Sequence, residues 1–173
     1  MTGFSDRVSL GEIGRIQQSD EVVMRVRVDS DESGAGGGMK WRGVALDTFD
    51  HKVWSKARPL NANANVINDN DAFLVEYASG KAPLTYQTFY LEPMDTDVLF
   101  GMPRIVAVSA GFPSIRRDSY GGITAARRNY DRTTYKIVSD RWLPPINALR
   151  KDDTAYPASF ASYLTLPPDM DER

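Results

Sequence analysis

Hydrophobic and polar residues along this chain alternate with a period of two far more often than they recur every three or four positions. Residues 21–28 are the clearest case. Val22, Met24, Val26 and Val28 fall on one face while Glu21, Val23, Arg25 and Arg27 take the other, the pattern of a strand half buried and half wet. The alternation returns at 133–138, where Tyr135 and Ile137 share a face. Residues 85–91, TYQTFYL, are β-branched and aromatic and predict a long strand closing at Pro93. Residues 105–110 are apolar on both faces, which predicts a strand central in its sheet. Shorter strands are predicted at 72–77 and 98–100, and a hairpin at 115–117 and 123–128, with Gly121 and Gly122 supplying the positive φ its turn demands.

The most distinctive stretch is 39–54, MKWRGVALDTFDHKVW, which holds two of the three tryptophans and the lone histidine. Its apolar first half predicts a strand at 41–46, its Asp and Lys content a turn at 47–52, and Val53 and Trp54 a return. Trp41, Phe49 and Trp54 read as core residues locking one corner of a β-domain, with an exposed aromatic surface as the alternative. Residues 29–38, DSDESGAGGG, form a polar loop between strands. A calcium loop begins well there with Asp29, Asp31, Ser33 and Gly34, but its twelfth place holds Lys40 where a bidentate Glu is required. A dinucleotide loop fails too, because its third glycine would fall on Met39. Residues 59–71 have a loop composition, with Asp69 and Asp71 read as solvated turn carboxylates.

Residues 1–20 read as a lead-in segment, and 146–151 as a short helix with Pro145 in its first turn. Seven to nine short strands with almost no helical periodicity predict an all-β fold, an antiparallel β-sandwich or open barrel. The domain is expected over 1–153, with 154–173 as an exit segment. No internal repeat is visible.

Composition narrows the chemistry. A chain of 173 residues buries roughly 70 % of its unfolded surface, so a hydrophobic core is available without a metal or staple. The formal charge is −2, from 21 basic and 23 acidic residues with no long block of one sign, which gives no footprint for nucleic acid or an anionic membrane. Arg116, Arg117, Arg127, Arg128 and Arg132 could gather into a basic patch but read as decoration of solvent faces. Cysteine is absent, which removes thiol nucleophiles, disulfides and Cys-based metal sites. His51, the only histidine, sits in a predicted polar turn, and no G-x-S-x-G elbow accompanies it. The uncharged run 105–115 reaches 11 residues and includes Gly111 and Pro113, whereas a membrane-spanning helix needs roughly 20 mostly apolar residues. No signal peptide is visible at Met1. Taken alone the chain reads as soluble, with its compartment undetermined.

Four short motifs, in order, carry a family resemblance. They are Val8-Ser9-Leu10-Gly11-Glu12-Ile13 with Ser19-Asp20-Glu21-Val22; Trp41-Arg42-Gly43 with Phe49-Asp50 and Trp54; Tyr135-Lys136-Ile137-Val138-Ser139; and Tyr163-Leu164-Thr165-Leu166-Pro167. Together they resemble the extracytoplasmic segment of TgpA-type, transglutaminase-like bacterial membrane proteins, a domain of unknown function preceding a transglutaminase core. The resemblance implies membrane helices before this module, a papain-like core with Cys, His and Asp after it, and a location outside the inner membrane. It places no active-site residue on this chain. The chain departs from the pattern at His51-Lys52, where Gly-Arg is the commoner pair.

These readings predict a non-catalytic accessory or interaction module of a membrane-anchored transglutaminase-like or cysteine-protease-like protein. Its partners would be the downstream core in the same polypeptide and cell-envelope peptide or glycan, and no cofactor or metal is implied. An alternative is a carbohydrate- or peptidoglycan-binding module. Among 18 aromatic residues, Trp41, Trp54, Tyr86, Tyr90 and Tyr120 could form a stacking platform, with Arg42 as a further binding candidate. A third reading, a serine hydrolase using His51, requires that imidazole to lie beside a serine in a cleft.

Overall fold

A computed structural model of the chain describes residues 7–9, 21–29, 39–56, 67–69, 72–156 and 158. In chain order its strands are β1 (Val8–Ser9), β2 (Met24–Asp29), β3 (Thr48–Phe49), β4 (Val53–Ser55), β5 (Ile67–Asp69), β6 (Ala72–Leu74), β7 (Leu84–Leu91), β8 (Val98–Leu99), β9 (Ile105–Ser109), β10 (Ile115–Arg117), β11 (Ile123–Ala125) and β12 (Thr133–Asp140), followed by helix α1 (Ile146–Lys151). The twelve strands among the described residues exceed the seven to nine expected because several are pieces of two or three residues, too short to show alternation.

The chain divides into two units, the first holding the described residues of 20–45 and 60–142. Its two longest alternating stretches lie side by side, β12 running antiparallel to β7 from Thr133 opposite Leu91 to Asp140 opposite Leu84. Around that pair the order is β2-β7-β12-β9-β6-β5, and a separate sheet has the order β10-β11-β8. The all-β, antiparallel expectation therefore holds, and the sheets do not close into a barrel. β9, read as central from its two apolar faces, is flanked by β12 and β6.

The core of this unit draws on both sheets. Phe73, Phe89, Leu91, Val108, Tyr135 and Ile137 from the larger meet Leu99, Ile115, Ile123 and Ala125 from the smaller. Each of the buried Val, Leu, Ile and Phe side chains contributes about 1.5–3 kcal/mol by leaving water. Phe89 and Tyr135 stack with ring centroids 5.0 Å apart and an interplanar angle of 3°. The polar groups of Tyr135, Gln87 and Ser139 are matched, whereas Trp41 Nε1 and Thr124 Oγ1 have no partner among the described residues. The Tyr135 hydroxyl accepts the Phe100 N–H at 2.8 Å and donates to the Phe100 carbonyl at 3.2 Å, and burial pushes its phenol above the ordinary range. Gln87 donates to the Ser139 hydroxyl at 3.0 Å and accepts the Met102 N–H at 2.9 Å, while that hydroxyl donates to the Met102 carbonyl at 3.0 Å.

Asp140 ends β12 inside a second polar cluster. Its buried carboxylate accepts the N–H groups of Ser79 at 2.7 Å and Trp142 at 2.8 Å, with the Arg104 guanidinium 3.6 Å away. The Ser79 hydroxyl and N–H, the Trp142 N–H and the Arg104 charge hold its pKa at about 2. Lys81 Nζ lies 4.3 Å and Arg104 Cζ 5.6 Å from the Trp142 ring centroid, a pair of cation–π contacts. Arg104 takes φ 61°.

The second unit holds the described residues of 5–19, 46–59 and 143–173. Its sheet has the order β1-β4-β3, and α1 occupies the predicted 146–151 with no buried side chain.

Two further expectations change. Residues 41–46 form no strand. Arg42 instead makes a single two-bond bridge with Gly101, 2.8 and 3.1 Å, and the hairpin sits later, with Phe49 opposite Trp54. Asp50 sets that turn, its carboxylate accepting the N–H groups of Val53 at 2.8 Å and Lys52 at 3.3 Å, while His51 takes φ 71°. A short side chain capturing nearby N–H groups overrides the apolar run before it. The 59–71 loop also contains β5, recruited by β6 through pairing that local composition does not signal. The loop at 30–38, most of the lead-in segment and the 163–167 motif lie outside the described residues.

Candidate functional site

Alternate residues of a strand share a face. Phe89 and Leu91 of β7 enter the core, so Tyr86, Thr88 and Tyr90 occupy the opposite, outer face. Register then fixes their neighbours. On β2, Asp29, Arg27 and Arg25 stand opposite Tyr86, Thr88 and Tyr90. On β12, Val138, Lys136 and Thr134 do so. Tyr86 is 52 % and Tyr90 43 % exposed, with the buried Thr88 between them. A rise of about 3.3 Å per residue separates the two tyrosines by about 13 Å along β7, so an extended ligand lying along the strand can touch both.

The charges on this face are mostly cationic. Glu92 accepts from Arg132 at 2.7 Å and from Arg25 at 3.1 Å, and these contacts, Arg132 first, hold its carboxyl below the ordinary range. Arg27 pairs with Asp29 at 3.1 Å. Lys136, exposed at the centre of the face, has no carboxylate partner among the described residues. Exposed pairs of this kind contribute little to stability, because water screens them and holding two long side chains in place costs entropy. What the surface offers chemically is ring faces for stacking beside guanidinium and ammonium donors.

The remaining candidates lie elsewhere. Trp41 packs against the core, with its indole Nε1 buried and without an acceptor among the described residues. Arg42 is held by its backbone bridge to Gly101. Tyr120 is half-buried in the β10–β11 turn, where its N–H donates to Asp118 Oδ1 at 2.9 Å. Trp54, in the second unit, is 40 % exposed and stacks on Phe49 at 4.9 Å between centroids. His51 is exposed, its ring centroid 6.5 Å from that of Phe49, and makes no hydrogen bond with a serine among the described residues. Of the five arginines of the suspected patch, Arg117 pairs with Glu76 at 2.7 Å, Arg128 with Asp95 at 3.0 Å and Arg132 with Glu92, which disperses their charge. Among the described residues no group of three or more His, Cys, Asp or Glu side chains could hold a metal ion.

Arg25, Arg27 and Lys136 were legible as outward-facing but not as neighbours of the tyrosines. Only the pairing of β7 with β2 and β12 assembles them, and those segments are far apart in sequence.

A family model described as the TgpA N-terminal domain matches residues 1–145. No curated protein matches the chain. Among solved structures it is similar to the periplasmic domain of TgpA from Pseudomonas aeruginosa, at 18 % identity and TM-score 0.61, over 80 % of this chain and 43 % of that one. The same domain bound to ethylmercury is similar at 19 % identity and TM-score 0.60, over 80 % and 44 %. The chain thus spans less than half the length of the solved chains it resembles. With the family model covering most of its length, this chain belongs to the TgpA N-terminal domain family.

Proposed function

We propose that this chain is a non-catalytic accessory module of a membrane-anchored, transglutaminase-like protein, placed outside the cytoplasm, which positions the downstream core or presents partners to it. The observation that carries this reading is the chemistry of His51. In a chain without cysteine, the sole imidazole lies exposed on the Asp50-capped turn beside Phe49. Thiol-dependent acyl transfer needs a Cys with a base in hydrogen-bond reach, so that chemistry belongs to another part of the polypeptide. The extracytoplasmic placement follows from family membership and from the periplasmic setting of the similar domains. No described helix is long and apolar enough to cross a membrane.

The test is direct. The purified chain, incubated with Gln- and Lys-containing peptide pairs and with activated esters, is expected to show no cross-linking or hydrolysis above buffer. Turnover that disappears in His51→Ala would overturn the accessory reading.

A second reading, a glycan- or peptidoglycan-binding module, is favoured by the exposure of Tyr86 and Tyr90 on one strand face. It expects retention on insoluble peptidoglycan that falls at least tenfold in a Tyr86→Ala, Tyr90→Ala double variant. Equal retention of variant and parent would sink it.

A further inference from the structure

The first unit ends on an open edge. Among the described residues, β2 is the outermost strand of the six-stranded sheet and pairs only with β7. The Glu92 N–H donates to the Val23 carbonyl at 3.0 Å, and these two residues stand directly opposite each other in the β2–β7 register. In an antiparallel ladder, bonded and non-bonded pairs alternate. Arg25, Arg27 and Asp29 are therefore bonded to β7, while Met24, Val26 and Val28 point their N–H and C=O groups the other way, out of the sheet. Among the described residues nothing takes those outward groups.

Side chains along this edge sort by face. Met24 and Val26 pack against the core, and Val28 lies half-buried on the same face. Arg25 and Arg27 are exposed on the other face, engaged only in surface ion pairs, and Glu92 keeps Arg132 when Arg25 turns away. Just ahead of the strand, Val22 and Val23 are 51 % and 39 % exposed. Open backbone groups, an apolar row on one face and a cationic row on the other together specify a complement.

We propose that β2 accepts an extended peptide as a seventh strand, one that alternates acidic and apolar side chains over about the six residues of β2. Main-chain hydrogen bonds to Met24, Val26 and Val28 supply the pairing, as in other strand-addition complexes. Carboxylates at alternate positions meet Arg25 and Arg27, and the intervening apolar side chains continue the row formed by Met24, Val26 and Val28. The inference deepens the accessory reading by naming the class of partner presented, and it rests on that reading.

The test titrates the ¹⁵N-labelled chain with a capped Glu-Val-Glu-Val-Glu-Val peptide. Expected are amide shifts confined to 22–29 and its β7 neighbours, with slowed hydrogen exchange at Met24, Val26 and Val28. A capped Lys-Val-Lys-Val-Lys-Val peptide is expected to bind at least tenfold more weakly. Val28→Pro removes one outward N–H and leaves the β2–β7 ladder intact, so it should weaken binding at least tenfold without moving β12 resonances. Should that variant misfold, the doubly charge-reversed Arg25→Glu, Arg27→Glu chain provides the second measurement, with its preference expected to switch to the lysine peptide. Equal binding of both peptides, shifts confined to the surroundings of Tyr86 and Tyr90, self-association of the chain through the same amides, or no shift at millimolar peptide would each overturn the proposal. Loss of binding without turnover would leave the accessory reading standing, whereas cleavage of the peptide would overturn that reading and leave the edge in place.

Discussion

At the scale of single residues, the apolar core of the first unit encloses polar groups that must find partners. Tyr135 belongs to both. Its ring stacks on Phe89, and its hydroxyl is both acceptor and donor to the backbone of Phe100. Tyr135→Phe keeps the stack and removes only the hydroxyl. It is expected to cost about 1–3 kcal/mol, the range for leaving buried hydrogen-bonding groups unmatched, read as a lower midpoint in urea unfolding with an unchanged slope. A change under about 0.5 kcal/mol would show that water takes over the hydroxyl's role. The sequence made Tyr135 legible as inward-facing, because period-two alternation is a local signal. Its partner was not legible, since Phe100 lies 35 positions away in a segment with no periodicity of its own. The same holds for Asp140: nothing local marks a carboxylate that will be enclosed by Ser79, Arg104 and Trp142.

Among the elements, those with their own periodicity or turn chemistry were readable, and those defined by a distant partner were not. β2, β7, β9, β12 and α1 follow from residues within themselves. β5 and the Arg42–Gly101 bridge exist only through pairing, and the order β2-β7-β12-β9-β6-β5 cannot be deduced from any one strand. The β10–β11 hairpin belongs to the readable class, and its turn can be tested. Gly121 takes φ 79°, and the Asp118 carboxylate accepts the N–H groups of Tyr120 at 2.9 Å and Gly122 at 2.7 Å. A Cβ at position 122 would sit 2.6 Å from Asp118 Oδ2, so Gly122→Ala must drive that carboxylate from its bonds. The expected loss is about 1–3 kcal/mol, as for other overpacked sites. By contrast, Ile146 and Leu149 of α1 are exposed, and Ile146→Ser with Leu149→Ser is expected to shift unfolding by no more than about 0.5 kcal/mol. Calorimetry of both variants checks the contrast. A large loss from the α1 pair would mean that the helix contributes to stability through contacts its exposure does not reveal.

For the whole molecule, the summed behaviour of its carboxylates sets the response to acid. Asp140 is held at about 2 against an ordinary 3.8. Asp50, through the N–H groups of Val53 and Lys52, and Glu92, through Arg132 and Arg25, are also lowered. A group whose pKa is lower folded than unfolded stabilises the fold above its unfolded value, and that contribution disappears as pH falls through the folded one. Stability is therefore expected to hold level from neutral pH down to about 5 and to fall from about 4 towards 2, where the unfolded chain takes up protons that the folded chain still excludes. Asp140→Asn isolates one contributor, keeping a similar shape and one acceptor oxygen while removing the titration. Near neutral pH the variant should be less stable than the parent, and the gap should close as pH approaches 2 and the parent's own carboxylate is neutralised. Urea unfolding of both chains at a series of pH values measures that gap. A gap of constant size from pH 7 to 2.5 would mean that Asp140 stabilises β12 by shape alone, with its charge contributing nothing.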